Sequence, residues 1–406
     1  MSVISKLLII LDGLADDPIE ALNTQTPLQA AHTPNLDYLA TLGQSGIADP
    51  TAPHFPHTTA TCTLGILGYP PGEKPVPRGI VEALGTDLEL EPGDVAWRGN
   101  WATVDENGFI IDRRAGRIRE GVEELVNSLN QLRLDGDDKL FVRSATEHRF
   151  ALIIRGQGLS DKIVSSDPIE ERTYQKKLIP HALDPADSKA QRTAQLLRQF
   201  EDKAEQILKN HPLNVLRQQK GQVPVTGILT REAGMMRSLP PIHINNQLLN
   251  AACVTGDRTI FGLCKMTGMD VLHAPEMTAN LDSNLALKFD YATQVLRKRD
   301  LVVLHIKGCD IAAHNQDALM KMKFIEAFDL RLGHFLAEWK EPLRIAVTTD
   351  HSTSSITGHH MEGPVPVLLY GSHIEADQIH HFDEVSARQG SLGYFQMWDL
   401  LKHLCR

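Results

Sequence analysis

The stretch Leu343–Pro366, LRIAVTTDHSTSSITGHHMEGPVP, constrains the fold more than any other. Its apolar run Ile345-Ala346-Val347 reads as a short buried strand. Asp350 and His351 follow the end of that strand. In open parallel sheets, ligands bind beyond the carboxyl ends of strands. An Asp–His pair placed there offers one oxygen and one nitrogen to a cation. His360 comes nine residues after His351, past a loop of Ser, Thr and Gly. A helix cap or a solvated turn is the plain alternative for a single pair of this kind.

Three further segments repeat the arrangement. In Leu301–His314, LVVLHIKGCDIAAH, an apolar strand runs into a Gly-containing turn, and Asp310 and His314 follow at i, i+4. On a helical turn that spacing puts both side chains on one face, where a carboxylate and an imidazole suit a divalent transition metal. In Lys6–Gly13, KLLIILDG, five apolar residues read as a central parallel strand with Asp12 at its end. Taken singly, Asp310 and Asp12 would each read as a helix N-cap. In His57–Tyr69, HTTATCTLGILGY, Thr58, Thr59, Thr61 and Thr63 crowd the start of an apolar run. A helix beginning there aims backbone N–H groups at an anion, and a metal beside one hydroxyl would ionise it as a nucleophile. Together these are the parts of a two-metal phosphoryl-transfer site.

Several motifs spread over nearly the whole chain resemble those of archaeal-type cofactor-independent phosphoglycerate mutases, within the alkaline phosphatase superfamily. They are ILDG, GILGY, RGIVEALG, PGDVAWRGNWATVDENG, IDRRAGRI, ATEHRF, the Asp310–His314 pair and DHST…HH…GPVP. The resemblance implies an α/β fold: an alkaline-phosphatase-like doubly wound sheet with an inserted α+β cap. It implies two divalent metal ions (Mn, Zn, Mg or Co), no organic cofactor, and a small phosphorylated acid as substrate. Asp310, His314 and His360 would hold one ion; Asp12, Asp350, His351 and Thr59 would hold the other. Thr59 would take the phosphoryl group from 3-phosphoglycerate and return it to the neighbouring hydroxyl, the activity of an isomerase in glycolysis. His148 would hydrogen-bond the transferring group. Arg78, Arg113, Arg114, Arg117, Arg149 and Arg231 would bind the carboxylate and phosphate, for which the planar guanidinium fork is suited.

The chain departs from the family pattern around the nucleophile. Counting back from Ile66-Leu67-Gly68-Tyr69, Thr59 stands where the family has Ser, and Ala60 and Thr63 stand where it has Asp and His. Asn250 falls where the family carries a Lys, so a phosphate-contacting cation is expected to be missing there. A phosphohydrolase, another phosphotransferase or a non-catalytic phospho-ligand binder on the same site are the alternatives these departures raise.

At 406 residues the chain has room for two or three domains. The texture changes at the Pro/Gly-rich PPGEKPVPRG, and hairpin, strand and helix signals follow. The expected division is a split catalytic domain at 1–71 and 238–406 around a cap at 72–237, with the cap arginines facing the metal ligands. A net charge of −10 argues against general nucleic-acid binding. No apolar run reaches membrane-spanning length. Five scattered cysteines without CxxC pairing and no signal-peptide pattern point to reduced thiols in the cytoplasm. The oligomeric state, a homo-oligomer included, is left open.

Overall fold

The computed structural model describes residues 4–72, 76–145, 147–168, 175–236, 239–244 and 247–406. It forms two compact units: Met1–Pro75 with Leu239–Arg406, and Val76–Ser238.

Along the chain, unit 1 opens with β1 (Ser5–Leu11), α1 (Pro34–Thr41), β2 (Gln44–Asp49) and α2 (Thr59–Ile66). Unit 2 contributes α3 (Arg78–Gly85), β3 (Val95–Val104), β4 (Ile110–Asp112), α4 (Val122–Asn130), β5 (Lys139–Ser144), β6 (Arg149–Arg155), α5 (Ser188–Lys209) and β7 (Gly227–Met235). Unit 1 resumes with β8 (Ala251–Val254), α6 (Arg258–Met266), β9 (Asp270–Leu272), α7 (Leu285–Leu296) and β10 (Leu301–Ile306). It ends with α8 (Gly308–His314), α9 (Ala318–Glu338), β11 (Leu343–Thr348), β12 (Val365–Gly371) and β13 (Gly393–Gln396).

The sheet of unit 1 has the order β9-β8-β10-β1-β11-β12-β2-β13. Strands β9, β8, β10, β1 and β11 run parallel. The sheet is mixed, because β12 lies antiparallel to β11 and β2 antiparallel to β12. The unbroken apolar runs follow from burial on both faces: Leu7 to Leu11 and Leu301 to Ile306 are buried throughout. Leu7, Ile9 and Leu11 pack with Leu36 and Leu39 of α1, Phe289 of α7, and Phe324 and Phe328 of α9. A parallel core brings the carboxyl ends of β1, β10 and β11 to one edge, and Asp12, Lys307 and Asp350 emerge side by side there. Asn250 precedes β8 and pairs with Asp300 before β10. It therefore lies at the opposite end of these strands, so a Lys at 250 would not reach this edge. The cation expected to be missing is not a loss at the site.

In unit 2, β3 pairs antiparallel with β6 and β7, within a five-stranded sheet. The alternation of a strand sends Trp97 and Trp101 into a core with Phe150, α4 and α5. Gly99 shares that inward face because the Phe150 ring lies 2.2 Å from where a Cβ would stand. Arg98 and Asn100 consequently share the other face.

Candidate metal centre and anion pocket

The edge of unit 1 gathers every Asp and His that the sequence singled out as a ligand. Asp12, Asp310, Asp350 and His351 are buried, each at most 1% exposed. Asp12 follows β1 directly, and the chain turns after it at Gly13, whose φ of +66° favours glycine. A Cβ there would meet Thr353 Oγ1 at 2.7 Å and the Asp310 backbone at 2.8 Å. Asp310 and His314 share one face of α8, and His360 is brought alongside by the short pairing of Thr353 with His360.

Hydrogen bonds fix which imidazole nitrogens face inward. His314 Nδ1 lies 2.7 Å from the Gly358 carbonyl, and His360 Nδ1 lies 2.9 Å from that of His57. A carbonyl only accepts, so each Nδ1 carries a proton, and in the neutral imidazole that ligates a metal each Nε2 presents a lone pair. These two Nε2 atoms stand 3.2 Å apart, at 3.3 and 3.5 Å from Asp310 Oδ1. Two lone pairs and a carboxylate oxygen facing one another call for a cation between them.

A second cradle adjoins it. Thr353 donates its hydroxyl proton to Asp310 Oδ1 at 2.8 Å, which leaves its oxygen to accept from His351 Nδ1 at 3.1 Å. His351 Nε2 then turns its lone pair toward Asp350 Oδ2 at 3.3 Å, Asp12 Oδ1 at 3.6 Å and Thr59 Oγ1 at 3.3 Å. Asp350 Oδ1 accepts the backbone N–H groups of Gly13 and His351. Asp350 Oδ2 and Asp12 Oδ1 are buried and accept no hydrogen bond from the described residues. Unpaired buried carboxylate oxygens are costly unless a cation meets them, so the donor set fits a divalent ion. The His351 ring also stacks on that of His360, with centroids 3.7 Å apart.

Burial would raise the Asp12 carboxyl, but Lys307 and the His305 hydrogen bond overcome it and hold it at about 2. Burial and the charge of Asp12 push Asp350 well up. Burial lowers His351 to about 4, so it is neutral and ligand-competent at pH 7. Sequence reasoning missed Lys307 and His305. Lys307 Nζ donates to Asp12 Oδ2 at 2.6 Å and lies 3.0 Å from Asp310 Oδ2. Both had read as parts of a strand and its turn.

Of the four threonines before the apolar run, Thr59 alone among the described residues contacts a candidate ligand. It is the first residue of α2. Thr58 is its N-cap, accepting from Thr61 N at 3.3 Å, and pairs with the Thr61 hydroxyl. Thr63 is buried.

Unit 2 holds a separate feature, a cavity of about 270 Å³ lined by seven guanidiniums and His148 against two carboxylates, Glu147 and Asp167. Arg78 comes from the start of α3, Arg149 and Arg231 from β6 and β7, and Arg113, Arg114 and Arg117 from the turn after β4. Asp112 shapes that turn by accepting from Arg114 N and Gly116 N, each at 2.8 Å. Arg117 and Glu147 adopt positive φ, 53° and 57°, and such backbone strain gathers at ligand sites. Thr146, part of the matched ATEHRF segment, lies outside the described residues.

Arg98 and Asn100 also line the cavity, and the sequence had not singled them out. Across the sheet Arg98 faces Arg231 and Asn100 faces Arg149. Like charges directly opposite destabilise a sheet. Arg98 is 4% exposed, its Nε has no hydrogen-bond partner among the described residues, and Glu82 stands 4.0 Å away. Burial and the neighbouring Arg149 lower it to about 9. Such a pocket suits a ligand with more than one anionic group.

His148 is held neutral. Burial and Arg149 bring it down to about 4 from the ordinary 6.5. The folded state therefore resists a proton that the unfolded chain accepts. This stability is complete above pH 6.5 and is lost as pH falls toward 4, to a maximum of about 3 kcal/mol. Urea unfolding at pH 7 and pH 4.5 is expected to show a smaller acid loss for His148→Gln than for the wild type. Equal losses would refute the assignment.

The two units define a class: α/β proteins with an Asp/His cluster at the strand ends of a split sheet and an inserted unit bearing a polycationic pocket. The sequence pattern of "2,3-bisphosphoglycerate-independent phosphoglycerate mutase" matches residues 40–214. An enzyme of that name from Thermoplasma volcanium is 38% identical over 393 residues, covering 97% of this chain and 94% of the relative. One from Picrophilus torridus is 38% identical, with 95% and 93% covered. The solved cofactor-independent phosphoglycerate mutase of Thermoplasma acidophilum superposes with a TM-score of 0.73 at 34% identity, covering 99% of both chains. A solved protein from Pyrococcus horikoshii reaches 0.83 at 30% identity, covering 100% and 97%. The chain belongs to the family of 2,3-bisphosphoglycerate-independent phosphoglycerate mutases.

Proposed function

We propose that this protein interconverts 3-phosphoglycerate and 2-phosphoglycerate through a phosphothreonine at Thr59. The observation that carries the reading is the Thr59 hydroxyl, 3.3 Å from His351 Nε2 at the first turn of α2. Two divalent ions are proposed: one held by Asp310, His314 and His360, the other by Asp12, Asp350, His351 and Thr59. Bound there, they would neutralise phosphate oxygens and lower the pKa of the hydroxyl. Mn²⁺ is the first ion to test, with Zn²⁺, Mg²⁺ and Co²⁺ beside it.

The remaining work falls to the chain itself. Thr59 gives its hydroxyl proton to solvent and Oγ1 attacks phosphorus as the substrate oxygen leaves with its electron pair and takes up a proton, so one P–O bond forms and one breaks. The N-terminal end of α2 favours the negative charge that gathers beside it. The arginines of unit 2 retain the glycerate by its carboxylate, so that its other hydroxyl can take the phosphoryl group back. The resemblance assigns His148 a hydrogen bond to the phosphoryl group, and burial together with Arg149 keeps that ring neutral. The split of the chain at 1–71, 72–237 and 238–406 is then a division between transfer chemistry and an inserted substrate-binding cap.

Purified protein loaded with Mn²⁺ and given 3-phosphoglycerate is expected to form 2-phosphoglycerate and release little inorganic phosphate. One phosphate released per substrate consumed would assign a phosphohydrolase instead. No turnover of any phosphate ester, with each metal tried, would leave a phospho-ligand binder.

A further inference from the structure

Among the described residues, Lys307 is the one ammonium group in an ion pair with the buried carboxylates of the candidate metal centre, and the reaction proposed above gives it no task. Its Nζ donates to Asp12 Oδ2 at 2.6 Å, lies 3.0 Å from Asp310 Oδ2, and stands 3.9 Å from Asp257 Oδ2. Asp12 and Asp310 belong to different cradles, so one side chain ties the two together.

The contacts are selective by atom. His305, fully buried, has Nδ1 3.2 Å from Thr255 Oγ1 and Nε2 3.1 Å from Asp12 Oδ2. Asp12 Oδ2 is a carboxylate oxygen and only accepts, so His305 Nε2–H points at it, and His305 Nδ1 is left to accept the hydroxyl proton of Thr255, whose oxygen accepts from Asp257 N. Asp12 Oδ2 is thereby saturated by two donors, while Asp12 Oδ1 is left facing His351. Likewise Lys307 takes Asp310 Oδ2 and leaves Oδ1 toward His314 and His360.

We infer that Lys307 is a resident counter-cation and positioning residue, which keeps both cradles preformed by holding the outer oxygens of Asp12 and Asp310. Three buried carboxylates converge at this edge. Stripped of every cation they would repel one another in a medium of low dielectric. Lys307 supplies one positive charge at all times, and divalent ions supply more when bound. Its contribution is therefore largest in the metal-free protein and smallest in the loaded one. A lysine that merely packs would contribute equally to both.

The test is thermal unfolding of wild type and Lys307→Met, each after chelation and again with saturating Mn²⁺. Metal-free Lys307→Met is expected to melt about 6–12 °C below metal-free wild type. With Mn²⁺ the gap should close to a small fraction of that, so the metal-induced shift is larger in the variant. Equal lowering with and without Mn²⁺, or no lowering at all, would overturn the inference. If the variant can be purified only with Mn²⁺ present, the metal is replacing the ammonium and the inference stands. If it fails to fold even with Mn²⁺, a packing role takes its place. The inference rests on the divalent-metal reading but not on the mutase reading. A wild type whose unfolding does not respond to Mn²⁺, Zn²⁺, Mg²⁺ or Co²⁺ would overturn it together with the metal centre. A metal-responsive protein lacking mutase activity would leave it intact.

Discussion

Thr59→Ala is expected to bind divalent metal as the wild type does and to turn over 3-phosphoglycerate on the order of 10⁴-fold more slowly. Metal binding survives because the second cradle keeps Asp12, Asp350 and His351 when the hydroxyl is removed. Turnover is lost because no other hydroxyl takes its place: Thr58 and Thr61 are engaged with each other at the cap of α2, and Thr63 is buried. Acid quenching of the wild type during turnover should trap a phosphothreonine, which peptide mass spectrometry would locate at Thr59. Full activity in the alanine variant would defeat the nucleophile assignment. Loss of activity together with loss of metal would mean that Thr59 acts as a ligand alone.

The gathering of Asp and His residues at one edge was legible because parallel strands advertise themselves. Apolar runs such as LLIIL and LVVL have to be buried on both faces, and a parallel arrangement sends their carboxyl ends to one edge. Asp12, Asp310 and Asp350 each stand just past such a run, so their meeting follows from topology. His314 followed from i, i+4 spacing. His360 is placed by the turn that pairs it with Thr353, which sequence spacing alone does not dictate.

What stayed hidden depends on pairing in three dimensions. His305 sits inside an apolar strand, and Lys307 looks like a turn residue until the neighbouring strand ends are known. The error at Asn250 has the same origin: a motif match carries no information about which end of a strand faces the site. Arg98 and Asn100 read as the polar phase of an alternating strand. Only the register of β3 with β6 and β7 sets Arg98 against Arg231 and shows that this polar face is buried. The antiparallel placement of β12 and β2 was likewise not coded by their composition.

Arg98→Met should change affinity and stability in opposite directions. In the folded protein without ligand, Arg98 is a nearly buried cation opposite Arg231, its Nε without a hydrogen bond among the described residues and with only Glu82, at 4.0 Å, as an ion-pair partner that those residues show. Desolvation and like charge both penalise it there. Methionine keeps much of the volume and removes the charge, while Glu82 retains the attraction of Arg149. The ligand-free variant is therefore expected to melt a few degrees above wild type. Affinity for 3-phosphoglycerate should fall by about 10–100-fold, the usual worth of a charge-assisted hydrogen bond to an anion. Calorimetric titration and thermal unfolding of the same preparations measure both. A variant that melts lower and binds as wild type does would show that Arg98 serves the sheet and not the ligand. The expected combination would identify the guanidinium as a group held at a cost to folding so that an anion can meet it.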